Sequence, residues 1–516
     1  GLDIDGDGIR EFKLSDFGAD PLKKDIFVEI DYMQSQSHSH QLAPAAIEQV
    51  LNAFANAPVQ NPDGTTGIVL HVDAGPDSLM DPGPDNAWGT DDDLRWKKDF
   101  SKATSIAEIP VLGSFTIEDG VERYQWTEFD TLKAQHFSTA RHEVFHYAIS
   151  GHDLGYPPRN YSGISRNSAS VRKGASDFLI TLGDVQSEYA QAGVLMHELG
   201  HNLGLRHGGD DHKRYEPNYF SIMNYAFVFT GLIQGEQGGL FDYSRFGPRQ
   251  IPPLNERALD EALGINASAR LDGFGTRYYL GTTDNVLEVS DVNGPIDWNR
   301  NGVIDQNKVK IDINGNNVLN KRNTGGFKDW ASLVFDGGQI GGAVDVAADQ
   351  PQITRVIEEG LTPEELPRGH FGYEVSMSGP WGASATPGAS VILEYQIENI
   401  GEKPDVYRVW GKSIHGWADF TSLPKTVTLA PGELASVSVM VTFPGDSSDQ
   451  SGDLLELFVE SQNKVPMSDS AHTHIDILPD EGPSGIKING VDILPNTTPT
   501  SGEGDAPHTP EIIPDG

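Results

Sequence analysis

The 516-residue chain contains no cysteine. A disulfide framework, a Cys-ligated zinc ribbon and a thiol nucleophile are all excluded by that absence. Basic residues are scarce as well: 37 Lys+Arg face 75 Asp+Glu, a formal charge of −38. Nucleic-acid backbones are held by Lys and Arg that displace counterions, so this balance argues against a nucleic-acid partner. No run of about 18 apolar residues occurs, and no membrane-spanning helix is expected. The start of the chain has neither a basic n-region nor an apolar h-region. Its first residue is Gly1 rather than Met, which suggests a processed mature chain.

The residues that are present describe a globular body. Hydrophobic residues make up 37%, aromatics 9% and charged residues 22%, a composition that folds rather than stays disordered. At about 150 residues per domain, the length suggests two to four domains. The acidity has two compatible readings: a solvated surface, and carboxylates that hold hard cations.

Periodicity divides the chain. Asp25 to Tyr32 reads as a strand, with Ile26, Val28 and Ile30 on one side. Pro44 opens a helix in which Ile47, Val50, Leu51 and Phe54 recur at helical spacing. Gly67 to Val72, Val144 to Ile149 and the segment DFLITL from Asp177 to Leu182 are further strands. A helix follows from about Ser187 to Leu203. This order describes an α/β layer with a mixed sheet. From about Phe371 the pattern becomes alternating: Val391, Leu393, Tyr395 and Ile397, then Val437, Val439, Val441 and Phe443. Short alternating strands separated by turn signals such as Pro431–Gly432 suggest an all-β sandwich of immunoglobulin-like type. Residues 479–516 are Pro-, Gly- and Asp-rich without periodicity and read as a flexible tail.

The most informative segment is HELGHNLGLRH, His197 to His207. Four residues turn a helix by about 400°, so His197 and His201 stand one above the other and can converge on one ion. Glu198 lies beside them, placed to act as a general base toward water. Gly204 lets the chain leave the helix, because glycine tolerates positive φ, and the turn brings His207 round as a third ligand. Three histidines leave a fourth position open, the pattern of a catalytic zinc site. The plainer alternative is an amphipathic helix whose histidines happen to align; Gly204 and His207 weigh against it. A gluzincin-type arrangement with Glu216 as third ligand would require the match at His207 to be accidental.

Met223, in the segment Ser221-Ile222-Met223-Asn224-Tyr225, stands sixteen residues after His207. HExxHxxGxxH followed by such a Met is a known signature, and residues 22–250 thereby resemble the metzincin clan of zinc endopeptidases. The resemblance implies a mixed twisted sheet plus an active-site helix, with Met223 as a hydrophobic base beneath the metal. It also implies a role for Tyr225, which matches the tyrosine that ligates zinc and stabilises the oxyanion in the astacin and serralysin branches; a satisfied core tyrosine is the alternative. DFLITL fits the clan's edge strand, to which substrate adds; an ordinary internal strand is the alternative. Gly208 after the third histidine and the early Met-turn leave the branch unassigned. His142, His146 and His152 have suggestive spacings without the Glu, Gly and Met context, and His38 and His40 read as a solvated loop.

Several acidic loops repeat one spacing. Asp3, Asp5 and Asp7, with Gly8, Ile9 and Glu11, resemble the first part of a calcium loop: side-chain oxygens at alternate positions, a Gly for the turn, then a carbonyl. Asp297, Asn299, Asn301, Gly302, Val303 and Asp305 repeat it, and Asp312, Asn314, Asn316, Val318 and Asn320 form a weaker copy with Asn317 in place of Gly. Asp73, Asp77, Asp81 and Asp85 form another acidic cluster, which Asx turns would explain equally well.

The expected organisation is an Asp-rich calcium-loop segment (1–21), an α/β metzincin-like catalytic domain (22–369) with a calcium-loop region at 285–322, an immunoglobulin-like sandwich (370–478) and a tail (479–516). The expected activity is secreted, Zn²⁺-dependent hydrolysis of internal peptide bonds in proteins, braced by Ca²⁺. The chain is expected outside the cell, either free or attached to the cell surface through a region not in this sequence. Two alternatives stand beside it: a calcium-dependent adhesion protein whose sandwich is the working module, and a zinc peptidase limited to short peptides.

Overall fold

The computed structural model describes residues 13–334 and 375–492, apart from 36–37, 77, 82–93, 97–100, 119–120, 143, 157–160, 167–175, 184–186, 210, 212, 235–236, 269–270, 272, 281–285, 324, 381, 400–402, 446–451, 464–467, 479–485 and 489–490. The first predicted calcium loop (Asp3, Asp5, Asp7, Ile9, Glu11) lies outside the described residues.

The chain enters its sheet at β1 (Asp25–Gln34) and crosses by α1 (Pro44–Ala55) to the parallel strand β2 (Val69–Asp73). Pro44 stands in the first turn of α1, where its missing N–H costs nothing, and Ile47, Val50, Leu51 and Phe54 are buried as the spacing predicted. Two short strands, β3 (Leu79–Asp81) and β4 (Leu94–Arg95), precede β5 (Ser105–Ala107), which pairs with the distal half of β1. A hairpin of β6 (Val111–Glu118) and β7 (Val121–Gln125) and the helix α2 (Thr127–His136) follow; neither was expected. β8 (Phe145–Gly151) then returns to the other side of β1, with β9 (Asp153–Tyr156) pairing β6. β10 (Gly163–Arg166) and β11 (Asp177–Thr181) complete the sheet before α3 (Glu188–Asn202).

The resulting six-stranded sheet has the order β10-β11-β8-β1-β2, with β5 beside β1. All its pairings are parallel except β10 against β11. Parallel strands are covered on both faces and read as continuous apolar runs, and β8 and β11 are buried throughout. The period of two sorts β1 between two cores. Ile26, Val28 and Ile30 join the core beneath α1 and α3, while Phe27 and Met33 join an aromatic cluster on the opposite face with Phe145 and Tyr147. Glu29 and Asp31 share that second face and are fully buried. Arg141 answers Glu29 at 2.6 Å and also reaches Asp73 at 2.6 Å. The Tyr147 hydroxyl donates to Asp31 at 2.6 Å. Asp73 is thus part of a buried ion-pair network rather than of an acidic calcium cluster.

DFLITL was expected to be the edge strand. It is internal: β11 is flanked by β8 and β10, and the antiparallel edge strand is the four-residue β10. GISR is too short to announce itself against the longer apolar runs. The α/β region also begins earlier than residue 22, because Phe17 is buried and its ring lies 5.4 Å from that of Trp96.

After α3 the chain is turn-rich, with the hairpins β12 (Leu232–Gln234) and β13 (Gln237–Leu240), and β14 (Thr276–Tyr279) and β15 (Val286–Val289). The C-terminal region is all β, consistent with a β-sandwich following an α/β region. Its strands among the described residues are β16 (Ser376–Ser378), β17 (Gly382–Ala385), β18 (Ser390–Glu398), β19 (Asp405–Ser413), β20 (Ala418–Asp419), β21 (Thr426–Leu429), β22 (Leu434–Thr442), β23 (Asp453–Ser461), β24 (Ser468–Ile477), β25 (Ile486–Ile488) and β26 (Val491–Asp492). They form a sheet β16-β18-β22-β20 and a sheet β21-β19-β23-β24-β17-β25-β26 around their own core. Val391, Leu393, Tyr395 and Ile397 of β18 face that core while their neighbours face out. The boundary expected at 478 is too early: β25 pairs with β17, and Ile488 packs against the core. Residues 486–488 are an apolar–Lys–apolar triplet, a strand signal too short to stand out in a Pro/Gly-rich context.

Candidate metal centre

Ser187 caps α3, its hydroxyl accepting from the Ala190 N–H at 3.5 Å. The helix is buried along its whole length from Ala190 to Asn202. Two glycines allow that. A Cβ on Gly193 would stand 1.6 Å from the Val228 carbonyl oxygen, and one on Gly200 would stand 2.4 Å from Met223 Sδ. The helix therefore lies directly against the backbone of the 221–231 turn at Gly193 and against the Met223 side chain at Gly200.

The three expected histidines meet. His201 Nε2 lies 3.1 Å from His197 Nε2 and 3.1 Å from His207 Nε2. The Nδ1–H of His197 donates to the Ile222 carbonyl, and that of His201 to the Leu205 carbonyl, each at 2.9 Å. A carbonyl only accepts, so both rings carry a proton on Nδ1, and in the neutral imidazole Nε2 is then the lone-pair nitrogen. Lone pairs at this separation repel, and a shared cation is what stabilises such an arrangement. All three residues are buried. Three imidazole donors, each a fit ligand for zinc, together with backbone carbonyls that set the tautomers, make the residues fit the metal implied by the sequence motif. Gly204, at φ 86°, makes the reversal that returns His207 to the helix.

Glu198 is buried beside the triad, and its carboxylate faces β10: a Cβ on Gly163 would stand 2.7 Å from Glu198 Oε1. Met223 is fully buried against Gly200, and the residue before it supplies the carbonyl that orients His197. The Tyr225 ring packs 4.3 Å from that of His207, with the Arg214 guanidinium 5.2 Å from its centre. Glu216 is not at the triad. It is buried, accepts from the Asn314 side-chain amide at 3.0 Å, and is pushed up to about 8 by that burial.

Several supporting residues carried no sequence signal. Asn202 bridges α3 to the sheet, its Oδ1 accepting from the Nδ1–H of His146 at 2.9 Å and its side-chain amide donating to the Asp177 carbonyl at 3.0 Å. Asp329 anchors the Met-turn: it accepts from Ser221 Oγ at 2.6 Å, from the Tyr219 hydroxyl at 2.9 Å and from the Ser244 N–H at 2.8 Å. It lies 108 residues from Ser221, too far along the chain for local pattern to reveal it.

Asp297, Asn299, Asn301, Val303 and Asp305 do form a closed loop. Asp297 accepts from the N–H groups of Asn301 and Gly302, and Asp305 accepts from the amides of Asn299 and Asn301. The buried Glu261 accepts from the Asn299 and Asp305 N–H groups. In the following copy, Glu256 does the same for Ile313 and Asn320, and Asn317 takes the positive φ that Gly302 takes in the first. Among the described residues, groupings of at least three His, Asp or Glu donors occur twice, and this loop is neither. One is the triad. The other joins His38, His40, Glu108 and His152, which corrects the expectation of a solvated loop at His38 and His40: His40 is 7% exposed.

No protein-family model matches the chain, and no curated protein does. Solved structures similar to part of it include the secreted serine protease VesC from Vibrio cholerae, at 13% identity and a TM-score of 0.17, covering 20% of this chain and 23% of that one. The PapD-like domain 7 of human CEP192 matches at 10% identity and 0.18, covering 23% and 93%. Alpha-2-macroglobulin from Escherichia coli, spanning domain MG7 to the C-terminus, matches at 21% identity and 0.17, covering 22% and 17%. These likenesses are too low to bear on fold or activity.

Proposed function

We propose that this chain is a zinc-dependent endopeptidase of the metzincin type, hydrolysing internal peptide bonds of proteins. The convergence of His197, His201 and His207 through their Nε2 atoms, with Glu198 in the next helical position, carries this proposal. Zinc held by three imidazoles supplies a Lewis acid that polarises a peptide carbonyl and acidifies water. Glu198 takes a proton from the attacking water and returns it to the leaving amine. Gly163 keeps the approach to that carboxylate clear, since any side chain there would press on it. An extended substrate adds to β10 through backbone hydrogen bonds and so runs past Glu198. The Tyr225 hydroxyl donates to the oxyanion that forms as water attacks.

The remaining assignments rest on the same proposal. The chain acts outside the cell in this reading, with an immunoglobulin-like sandwich at 375–492 as its accessory module. The self-closed loop at Asp297–Asp305 takes Ca²⁺.

Glu198→Gln is expected to keep about one zinc at the triad while casein cleavage falls by roughly 10²–10⁴-fold. Wild-type cleavage by the zinc-loaded variant would exclude the mechanism. Tyr225→Phe should lose about 10²-fold in turnover with zinc retained; an unchanged rate removes the tyrosine from the reaction. Cleavage of tetrapeptides but not casein would favour an oligopeptidase, and no cleavage of either would leave the sandwich as the working module.

A further inference from the structure

We propose that His38, His40, Glu108 and His152 form a second metal centre, a closed four-ligand site for Zn²⁺ or a similar divalent transition ion. Glu108 Oε1 lies 2.9 Å from His38 Nε2, 3.6 Å from His40 Nε2 and 3.9 Å from His152 Nδ1. The donor atoms all lie within 4.8 Å of one another. Tetrahedral zinc with bonds of about 2.0–2.1 Å sets its ligands near 3.4 Å apart, so small side-chain rotations close the shell. The rings already converge, with centroids 4.8, 5.2 and 5.5 Å apart.

The fold builds this cluster. His38 and His40 follow β1, Glu108 follows β5 and His152 follows β8, three adjacent parallel strands. The chain leaves β1 toward β2 on one side and later returns to β8 on the other, so the cluster sits at the carboxyl ends of strands at a topological switch point. Open α/β sheets place ligands there. After β1 the backbone folds back, the His40 N–H donating to the Met33 carbonyl at 2.9 Å. In this extended stretch alternate residues share a side, which aims His38 and His40 together. Ser35 Oγ lies 3.2 Å from His38 Nδ1 and leaves Nε2 to face the cluster, the outer-shell arrangement usual for a ligating histidine.

A simple His–Glu ion pair would account for His38 but not for the others. The Nε2 of His40 and the Nδ1 of His152 are buried and have no hydrogen-bond partner. Three imidazoles and a carboxylate fill a tetrahedral shell, leaving no position for substrate. The site is structural, tying together the ends of β1, β5 and β8.

Metal content of the untagged full chain tests this, measured by mass spectrometry after zinc loading and desalting. Wild type should hold two zinc ions, His40→Ala/His152→Ala one, and His197→Ala/His201→Ala one. Glu108→Gln keeps the shape of its side chain and one acceptor oxygen; circular dichroism will show it folded, and it should bind the second ion more than about 100-fold more weakly, beyond the loss typical of an outer-shell change. Wild-type stoichiometry and affinity in folded Glu108→Gln would overturn the second site. So would a single ion that only the His197/His201 variant loses, which would leave the triad standing. A single ion lost only by the His40/His152 variant would do the reverse, supporting this site and removing the triad.

Discussion

Replacing Gly193 with Ala separates what helix propensity predicts from what the packing of α3 predicts. Inside a helix, Ala is better than Gly by about 1 kcal/mol, and on a helix with room to spare the change would stabilise. Here the new Cβ would stand 1.6 Å from the Val228 carbonyl oxygen and 2.7 Å from its carbon. Both belong to backbone, so no rotamer change relieves the overlap, and the helix must move away from the 221–231 turn. Overpacking of a close-packed interior costs typically about 1–3 kcal/mol, and a clash with main chain belongs at the upper end. Subtracting the gain in propensity leaves a net loss of about 2 kcal/mol. For a domain of this class that lowers the unfolding midpoint by roughly 4–8 °C. Because His197 is oriented by the Ile222 carbonyl, the same displacement should weaken zinc retention. Thermal melts with and without zinc, set beside a zinc titration, measure both effects. A Gly193→Ala protein as stable as wild type or more so, with unchanged zinc affinity, would refute the close approach of helix and turn.

Two further outcomes concern carboxylates. Burial raises Asp31 to about 6, against the opposing pull of the Tyr147 hydroxyl and the Thr104 N–H. A carboxyl raised in the folded state is stabilising when protonated, so stability should fall as pH rises from about 4 to about 6, by on the order of 3 kcal/mol. Asp31→Asn should flatten that segment of the urea-unfolding profile, and parallel profiles would count against it. For the Asp297 and Asp312 loops, millimolar Ca²⁺ should raise the melting midpoint relative to chelated protein, with about 2.7 kcal/mol available at a hundredfold excess over the dissociation constant; superimposable melts would leave them as turns closed by their own hydrogen bonds.

Legibility in the sequence followed the locality of the signal. The helix α3 and its triad were readable because the ligands lie within eleven residues and obey a fixed helical geometry. β1, α1 and β8 were readable because each pairs a clear period with a long apolar run. β10 was not, being four residues long, and its neighbour β11 was taken for the edge. Asp329, Asn202 and Gly163 matter through partners far away in the chain, which no local period encodes. The His38 cluster falls between these cases. Its members follow strands that the pattern had largely located, but only the parallel alignment of β5, β1 and β8 shows that their ends coincide.

The position of Asp329 also bears on where a minimal folding fragment could end. The zinc motif and its Met-turn are complete by Tyr225, and the clan resemblance fades near residue 250. Yet Ser221, Tyr219 and Ser244 all direct donors at a carboxylate supplied by residue 329, and Trp330 next to it donates to Asp242 at 2.7 Å. A fragment trimmed where the motif ends would keep every ligand and lose the floor under them, leaving several buried donors unanswered at about 1–3 kcal/mol each. The smallest self-sufficient unit that carries the triad therefore runs to at least residue 330.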